Sequence, residues 1–145
     1  MFFFHRFPLI LLLLLSFCFI SCAEKKQGKV IVTEQEFSIR QDAAFNWVID
    51  ARGKIKNVGD VDVKKVEVTG YCRSCGEAIY AGVWYVSDYE KMTDQKDVIS
   101  YLPVGSEEAF SFREVAFYFN QSGQSPEGLP EKLEVVIESF ETVDS

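Results

Sequence analysis

Apolar and polar residues alternate on both sides of a short turn signal in the first half of the chain. Residues 45–57 carry apolar side chains at every second position, at Phe45, Trp47, Ile49 and Ala51. Residues 61–71 repeat the alternation with valines. Such period-2 patterns are typical of strands with one buried face. The string NVGD at residues 57–60 favours a tight reversal, and we therefore predict a β-hairpin across residues 53–71.

The same alternation predicts further strands along the chain. They fall at residues 30–32 and 37–39 (one strand or two), 78–86, 98–102, 109–119 and 133–142. Residues 103–107 and 121–131 have turn or loop composition, and the polar residues 87–96 hold at most a helical turn. About seven strands with frequent turn signals predict an all-β fold, a small antiparallel sandwich of immunoglobulin-like type in a single domain.

Two positions interrupt the regular strand pattern. Gly53 lies inside a strand, where glycine is typical of a bulge or of a close backbone approach. The valines at 61 and 63 have one parity and those at 66 and 68 have the other, so we predict a bulge at Lys64-Lys65. Trp47 has the buried parity and is predicted to be the central aromatic residue of the core.

Residues 1–21 are predicted to be a signal peptide. His5 and Arg6 precede an apolar run at residues 8–20. This run is shorter than the about 20 apolar residues that a membrane-spanning helix needs. An uncleaved anchor and a plain secretory signal are the alternatives.

The end of this segment, Phe19-Ile20-Ser21-Cys22, resembles the lipobox of bacterial lipoproteins. The resemblance implies that Cys22 becomes the lipidated N-terminus, carrying palmitate. Residues 22–29 would then form a polar tether, and residues 30–145 the sandwich domain. Ala23, in place of Asp, implies sorting to the outer membrane in a Gram-negative organism. Elsewhere, the lipid would hold the domain on the outer face of the cytoplasmic membrane.

The string GKIKNVGDVDVKKVEVTGY, followed downstream by LPVGSEEAFSF, resembles the FxLYD family of small bacterial sandwich domains. The similarity covers residues 45–112, although the literal Phe-x-Leu-Tyr-Asp string is absent and Val104 is inserted in the Pro-Gly turn. It implies an immunoglobulin- or fibronectin-like fold on an exported protein or lipoprotein. It implies no catalytic residue.

The net charge and the histidine content limit the functions that this chain can have. The full chain has a formal charge of −7, and removal of Arg6 with the signal peptide leaves 14 basic and 22 acidic side chains, or −8. Such a domain repels nucleic acid and anionic headgroups, so attachment to a membrane has to come from the lipid. The only histidine, His5, lies in the signal peptide. Without a histidine, the mature domain can form neither a Ser-His-Asp triad nor a Cys-His pair. We therefore expect that the protein is not an enzyme and that it binds no cofactor.

Cys72 and Cys75 form the one local motif with a testable chemistry. In an exported protein, an even cysteine pair favours a structural disulfide. A thioredoxin-like redox pair is the first alternative, but it needs a helix N-terminus in a βαβ setting. A zinc site is the second, and it would need ligands from a second chain or from carboxylates.

The segment from Ala78 to Tyr89 is rich in aromatic residues that could form a binding surface: Tyr80, Trp84, Tyr85 and Tyr89. Core packing is the alternative explanation. The sequence therefore predicts a lipid-anchored, non-catalytic envelope module with a binding, structural or assembly role and an envelope protein or glycan as partner. The alternatives are a thiol-redox or metal-handling lipoprotein using Cys72 and Cys75, and a glycan- or peptidoglycan-binding module using these aromatics.

Overall fold

The structure is a computed structural model that describes residues 24–87 and 89–143. Cys22 and the predicted signal peptide lie outside these residues. The described residues form eight strands: β1 (Val30–Ala43), β2 (Asn46–Asn57), β3 (Val63–Cys72), β4 (Trp84–Tyr85), β5 (Lys96–Leu102), β6 (Glu107–Phe112), β7 (Phe117–Phe119) and β8 (Leu133–Thr142). A single 3-10 turn, Thr93–Gln95, precedes β5. In these ranges, no helix is long and apolar enough to cross a bilayer.

The strands form two antiparallel sheets that pack face to face. One sheet has the order β1-β2-β7-β4, with β6 also paired to β2, and the other has the order β5-β3-β8. Both sheets contribute fully buried side chains to one core, among them Ile49 and Ile55 from β2 and Val66 and Val68 from β3. This arrangement confirms the predicted fold class, with eight strands instead of about seven. The residues that build the core all lie between positions 30 and 140.

The predicted hairpin of residues 53–71 is wrong, because β2 and β3 belong to different sheets. The chain crosses between the sheets at residues 57–62. Asn57 is fully buried there, and its side-chain amide donates to the carbonyls of Val61 (2.9 Å) and Leu102 (3.0 Å). Its Oδ1 accepts the Gly59 N–H (3.0 Å). The turn-forming residues thus build a crossover in which both strands keep their apolar faces toward the shared core.

The strand predicted at residues 109–119 is divided into β6 and β7. Both pair with β2, and residues 113–116 bulge out between them, with Glu114 at φ 58°. The bulge is held by Ile49, whose N–H donates to Ala116 O (3.0 Å) and whose carbonyl accepts Val115 N–H (2.7 Å). The apolar alternation continues on both sides of the bulge, so the sequence pattern does not reveal it.

The strand predicted at residues 78–86 is also wrong for most of its length, since only Trp84–Tyr85 is a strand. Ile79 and Tyr80 are 66% and 67% exposed. Gly82 adopts φ 79°, a left-handed conformation that a regular strand cannot hold. High strand propensity is insufficient here, because this segment has no neighbouring strand along most of its length.

Both predicted irregularities are confirmed. A Cβ built on Gly53 would lie 1.9 Å from the Glu34 carbonyl oxygen, so only glycine permits this approach of β1, whose register shifts between Val32 and Glu34. The parity break at Lys64-Lys65 is a bulge: the β3–β8 register shifts there, and Lys65 has φ 51°.

The prediction that Trp47 is the central aromatic residue is wrong. Trp47 is buried but packs edge-on against Tyr118, with ring centroids 6.0 Å apart, outside the main core cluster. Phe110 and Phe112 supply the aromatic centre of the core, with stacked rings 5.6 Å apart. Their positions on β6 place them over the middle of β2.

The two ends of the sandwich differ in what they hold. At one end, which we call the tether end, Lys29 O accepts Val58 N–H (2.8 Å) and Gln27 O accepts Asp60 N–H (2.9 Å). At the other, the loop end, the β1–β2 turn meets the long loop after β7, where the Asn120 N–H donates to Phe45 O (3.0 Å). The 12 residues of β2 connect the two ends, which at about 3.3 Å per residue separates them by roughly 36 Å.

Replacing Asn57 by Ala should destabilise the domain strongly. The substitution removes the side-chain partner of the Val61 and Leu102 carbonyls and of the Gly59 N–H, and each buried polar group left without a partner costs about 1–3 kcal/mol. We expect the free energy of unfolding, from urea titration followed by tryptophan fluorescence, to fall by about 3 kcal/mol. Asn57→Asp should also destabilise, because a carboxylate cannot donate to the two carbonyls.

The matched control is Asn46→Ala at the exposed opposite end of the same strand, which should change stability by less than about 0.5 kcal/mol. Equal effects of the substitutions at positions 57 and 46 would contradict the role assigned to the crossover.

Candidate functional site

The loop end carries the candidate site, and its main element is a loop of residues 76–86 that closes on itself. The Gly76 N–H donates to Trp84 O (3.1 Å), and the Val86 N–H donates to Gly76 O (2.9 Å). These two bonds join the start and the end of the loop. The short strand β4 then docks the loop on β7, where Trp84 faces Tyr118 and Tyr85 faces Phe117.

A disulfide between Cys72 and Cys75 fixes the base of this loop. The bond is formed in the structure, with Cα atoms 5.4 Å apart, in agreement with the favoured prediction. Cys72 is 7% exposed at the end of β3, and Cys75 packs against the core. Because Cys72 ends a strand and Cys75 lies in a turn, neither has the helix N-terminus that lowers a thiol pKa.

In the part of the chain that the structure describes, no group of three or more His, Cys, Asp or Glu side chains is placed to hold an ion.

The four predicted aromatic residues do not form one surface. Trp84 packs against Tyr118, with ring centroids 5.2 Å apart, and its Nε1–H donates to Gly128 O (3.0 Å). It therefore connects the loop to the core and to the 121–131 segment. Tyr85 stacks on Phe117 at 5.7 Å, and burial raises the pKa of its hydroxyl. Tyr80 and Tyr89 are 67% and 88% exposed and are free to meet a ligand.

Two adjoining cavities lie beside the loop. The outer cavity, of about 470 Å³, has a mostly apolar wall that includes Ile79, Tyr85 and Phe117, with Glu77 at its margin. The inner cavity, of about 310 Å³, lies against Cys72 at the end of β3. The two share Val86, Ser87, Tyr89 and Phe117 as lining residues. The two cavities, together called the groove, therefore lie side by side near the disulfide, and Tyr89 lines both of them whereas Tyr80 lines neither.

Lys91 brings a positive charge to the inner cavity. Its ammonium group donates to Gly70 O (2.6 Å) and lies 4.7 Å from the centroid of the Tyr71 ring. Burial lowers the pKa of Lys91, partly offset by attraction to Glu138. The Tyr71 hydroxyl donates to Glu138, and this bond raises the pKa of Tyr71. Arg73 also lies over the Tyr71 ring, 4.4 Å from its centroid.

Sequence reasoning missed Lys91, Tyr71 and Phe117 as residues of the groove. Lys91 lies in a polar segment without periodicity, which predicted only a loop. Tyr71 and Phe117 lie in strands and were assigned to the scaffold. Only the crossover of the chain from β4 to β5 brings these three residues together, and a linear pattern does not contain that information.

A separate cavity of about 550 Å³ lies over β1, β2 and β6. Four of its charged lining residues pair with one another, Arg52 with Glu36 (2.8 Å) and Lys54 with Glu34 (3.1 Å), and Asp97 accepts the Ser111 N–H (2.9 Å). Because these charges are satisfied within the protein, the cavity is a weaker candidate for binding than the groove.

Neither a protein-family model, nor a curated protein, nor a solved structure matches the chain. What the groove binds therefore has to be inferred from its own residues.

Removing the disulfide should loosen the loop without unfolding the sandwich. In Cys72→Ala/Cys75→Ala, we expect a loss of about 2 kcal/mol in unfolding free energy from loop-closure entropy. Hydrogen exchange of the Gly76 and Val86 amides should become faster, while that of the Ile49 amide in β2 should change only with global stability.

Dithiothreitol supplies the control for this prediction, since it should reproduce the effect on the wild-type protein and leave the double variant unchanged. Two free thiols in the protein purified from its own compartment would contradict a structural role for this cysteine pair and would favour the redox alternative.

Proposed function

We propose that this chain is a lipid-anchored β-sandwich of the cell envelope that acts as a non-catalytic binding module of FxLYD type. The observation that carries the proposal is the position of the groove relative to the tether. The tether joins the sandwich at one end, through Gln27 and Lys29, whereas the groove lies at the other. A lipid on Cys22 would then hold the domain so that the groove points away from the membrane.

Exposed apolar side chains at the loop end support a binding role. They belong to four different connections between strands: Phe45, Ile79, Tyr80, Val83, Tyr89 and Leu129. Clustered exposed apolar residues mark binding sites more often than scattered ones do. Aromatic residues, tyrosine in particular, are also enriched where proteins meet their partners.

A non-catalytic role follows from the side chains that the proposed mature domain offers. It has no histidine, and its paired acids lie at the tether end, Asp60 and Asp62 in the crossover and Glu107 and Glu108 at the start of β6. Asp62 accepts hydrogen bonds from the Tyr101 hydroxyl and from the Val104 N–H (2.8 Å). Both bonds lower the pKa of Asp62, and the bond from Tyr101 has the larger effect. A carboxylate with a lowered pKa is a poor general base.

Glycan binding is the second candidate function, and it is favoured by the exposed rings of Tyr80 and Tyr89, of which Tyr89 lines the outer cavity together with Glu77. A pull-down on purified peptidoglycan tests this function. Tyr80→Ala/Tyr89→Ala should reduce retention of the protein, because both side chains are exposed and the substitutions leave the core intact. Trp84→Ala is unsuitable as a test, since Trp84 is a structural contact. Unchanged retention of the double variant would count against glycan binding at these rings.

The lipid anchor is tested by metabolic labelling of the intact cell with a palmitate analogue. The wild-type protein should incorporate the label and sediment with the envelope, and Cys22→Ala should do neither. Separation of inner and outer membranes then tests the outer-membrane address in a Gram-negative host. A labelled Cys22→Ala variant, or an unlabelled wild-type protein, would contradict the proposed anchor.

A further inference from the structure

The inner cavity contains an ammonium group whose hydrogen-bonding capacity is only partly used. An ammonium offers three donors, and Lys91 spends one on Gly70 O. Within residues 24–87 and 89–143, the ion pairs with N···O distances up to 4.0 Å do not include Lys91. A partly desolvated cation at a cavity wall gains more from an incoming anion than a cation in open water does.

The rest of the inner cavity is suited to an apolar body. Its walls include Val86, Val115 and Phe117, together with Cys72, whose sulfur is part of the disulfide. A volume of about 310 Å³ holds roughly ten water-sized groups. A ligand with a charged head at Lys91 could extend its apolar part past Val86 and Phe117 into the outer cavity, because both residues line both spaces.

The charge of the whole domain limits how much negative charge the ligand can carry. The proposed mature chain has a formal charge of −8, so a polyanion is repelled before it reaches the groove. Glu77 and Glu90 also lie at the groove. A single carboxylate at Lys91 avoids most of this repulsion, and its apolar body supplies affinity that does not depend on charge.

We propose that the inner cavity binds the carboxylate of a small apolar acid, with the Lys91 ammonium donating to the carboxylate and Val86, Val115 and Phe117 enclosing the apolar body. The inference rests on the proposed function as a binding module, and it specifies the chemical class of one ligand. The chain's own lipid is not the proposed ligand, because it would be attached near the tether end, whereas Val115 of this cavity bonds to Ile49, which lies roughly 26 Å along β2 from Asn57.

Octanoate, a monoanion with ten non-hydrogen atoms, is a suitable probe. The protein is the proposed mature chain of residues 22–145 with Cys22→Ser, which contains both sheets and every core residue. Amide chemical shifts in a ¹⁵N-labelled sample are followed as octanoate is added below its micelle concentration. We expect saturable shifts at Cys72, Val86, Val115 and Phe117, and none at the tether end.

Variants of one lysine test the role of the charge. Lys91→Met should weaken octanoate binding about tenfold, the change expected from losing one charge-assisted hydrogen bond. Lys91→Arg should retain most of the affinity, and Lys25→Met, which removes an exposed tether charge, should retain all of it. Octan-1-ol should bind the wild-type and Lys91→Met proteins equally.

Each other outcome overturns the inference. Equal octanoate affinity in the wild-type and Lys91→Met proteins would show that Lys91 does not bind the carboxylate. Shifts confined to the tether end would place the ligand elsewhere, and no saturable shifts would remove the site. The proposed envelope function would survive all three results, because palmitate labelling of Cys22 tests it independently.

Discussion

The side chain of Asn57 satisfies three backbone groups where the chain leaves one sheet and starts the other. Its amide bonds the carbonyls of Val61 and Leu102 and the N–H of Gly59, and it has no exposure to solvent. The crossover also receives the tether, because Val58 and Asp60 donate to Lys29 and Gln27. One buried residue thus fixes both the connection between the sheets and the point where residues 24–29 join the domain.

The opposite end is built on different contacts. Its long connections have few strand partners, so the Cys72–Cys75 disulfide, the paired Gly76 and the Trp84 contacts hold them in place. Apolar side chains such as Ile79 and Tyr80 remain outside the core. The loop end thus combines long connections with exposed apolar side chains, a combination typical of binding surfaces, although Val58 and Val104 are exposed at the tether end as well.

The sequence predicted strands correctly where the apolar alternation is regular and the strand pairs within one sheet. For β8, the predicted and the observed bounds are both residues 133–142. It also located the bulge at Lys64-Lys65, because a parity break is visible in a linear pattern. The sequence-based prediction was wrong where the pairing of strands decides the structure. The turn-forming residues 57–60 are compatible with a hairpin and with a crossover, and only the burial of Asn57 distinguishes the crossover from the hairpin.

The groove shows the same limit. The disulfide and the aromatic composition were predictable from the sequence. That Lys91, Tyr71 and Phe117 lie close together depends on the crossover of the chain from β4 to β5 at the loop end. Trp84 and Tyr85, neighbours in the sequence, have different roles, because one packs against the core and Tyr118 whereas the other stacks on Phe117. Residue type alone could not separate the structural ring from those that are free to bind.

If Cys22 carries the proposed lipid, the anchor and the groove lie at opposite ends of the sandwich. Energy transfer from a fluorophore on the lipidated protein to acceptors in the bilayer surface measures this directly. A label at residue 104, at the tether end, should transfer efficiently, whereas a label at residue 80 should lie roughly 36 Å farther from the bilayer and transfer weakly. Equal transfer from the two positions, or stronger transfer from residue 80, would contradict the account.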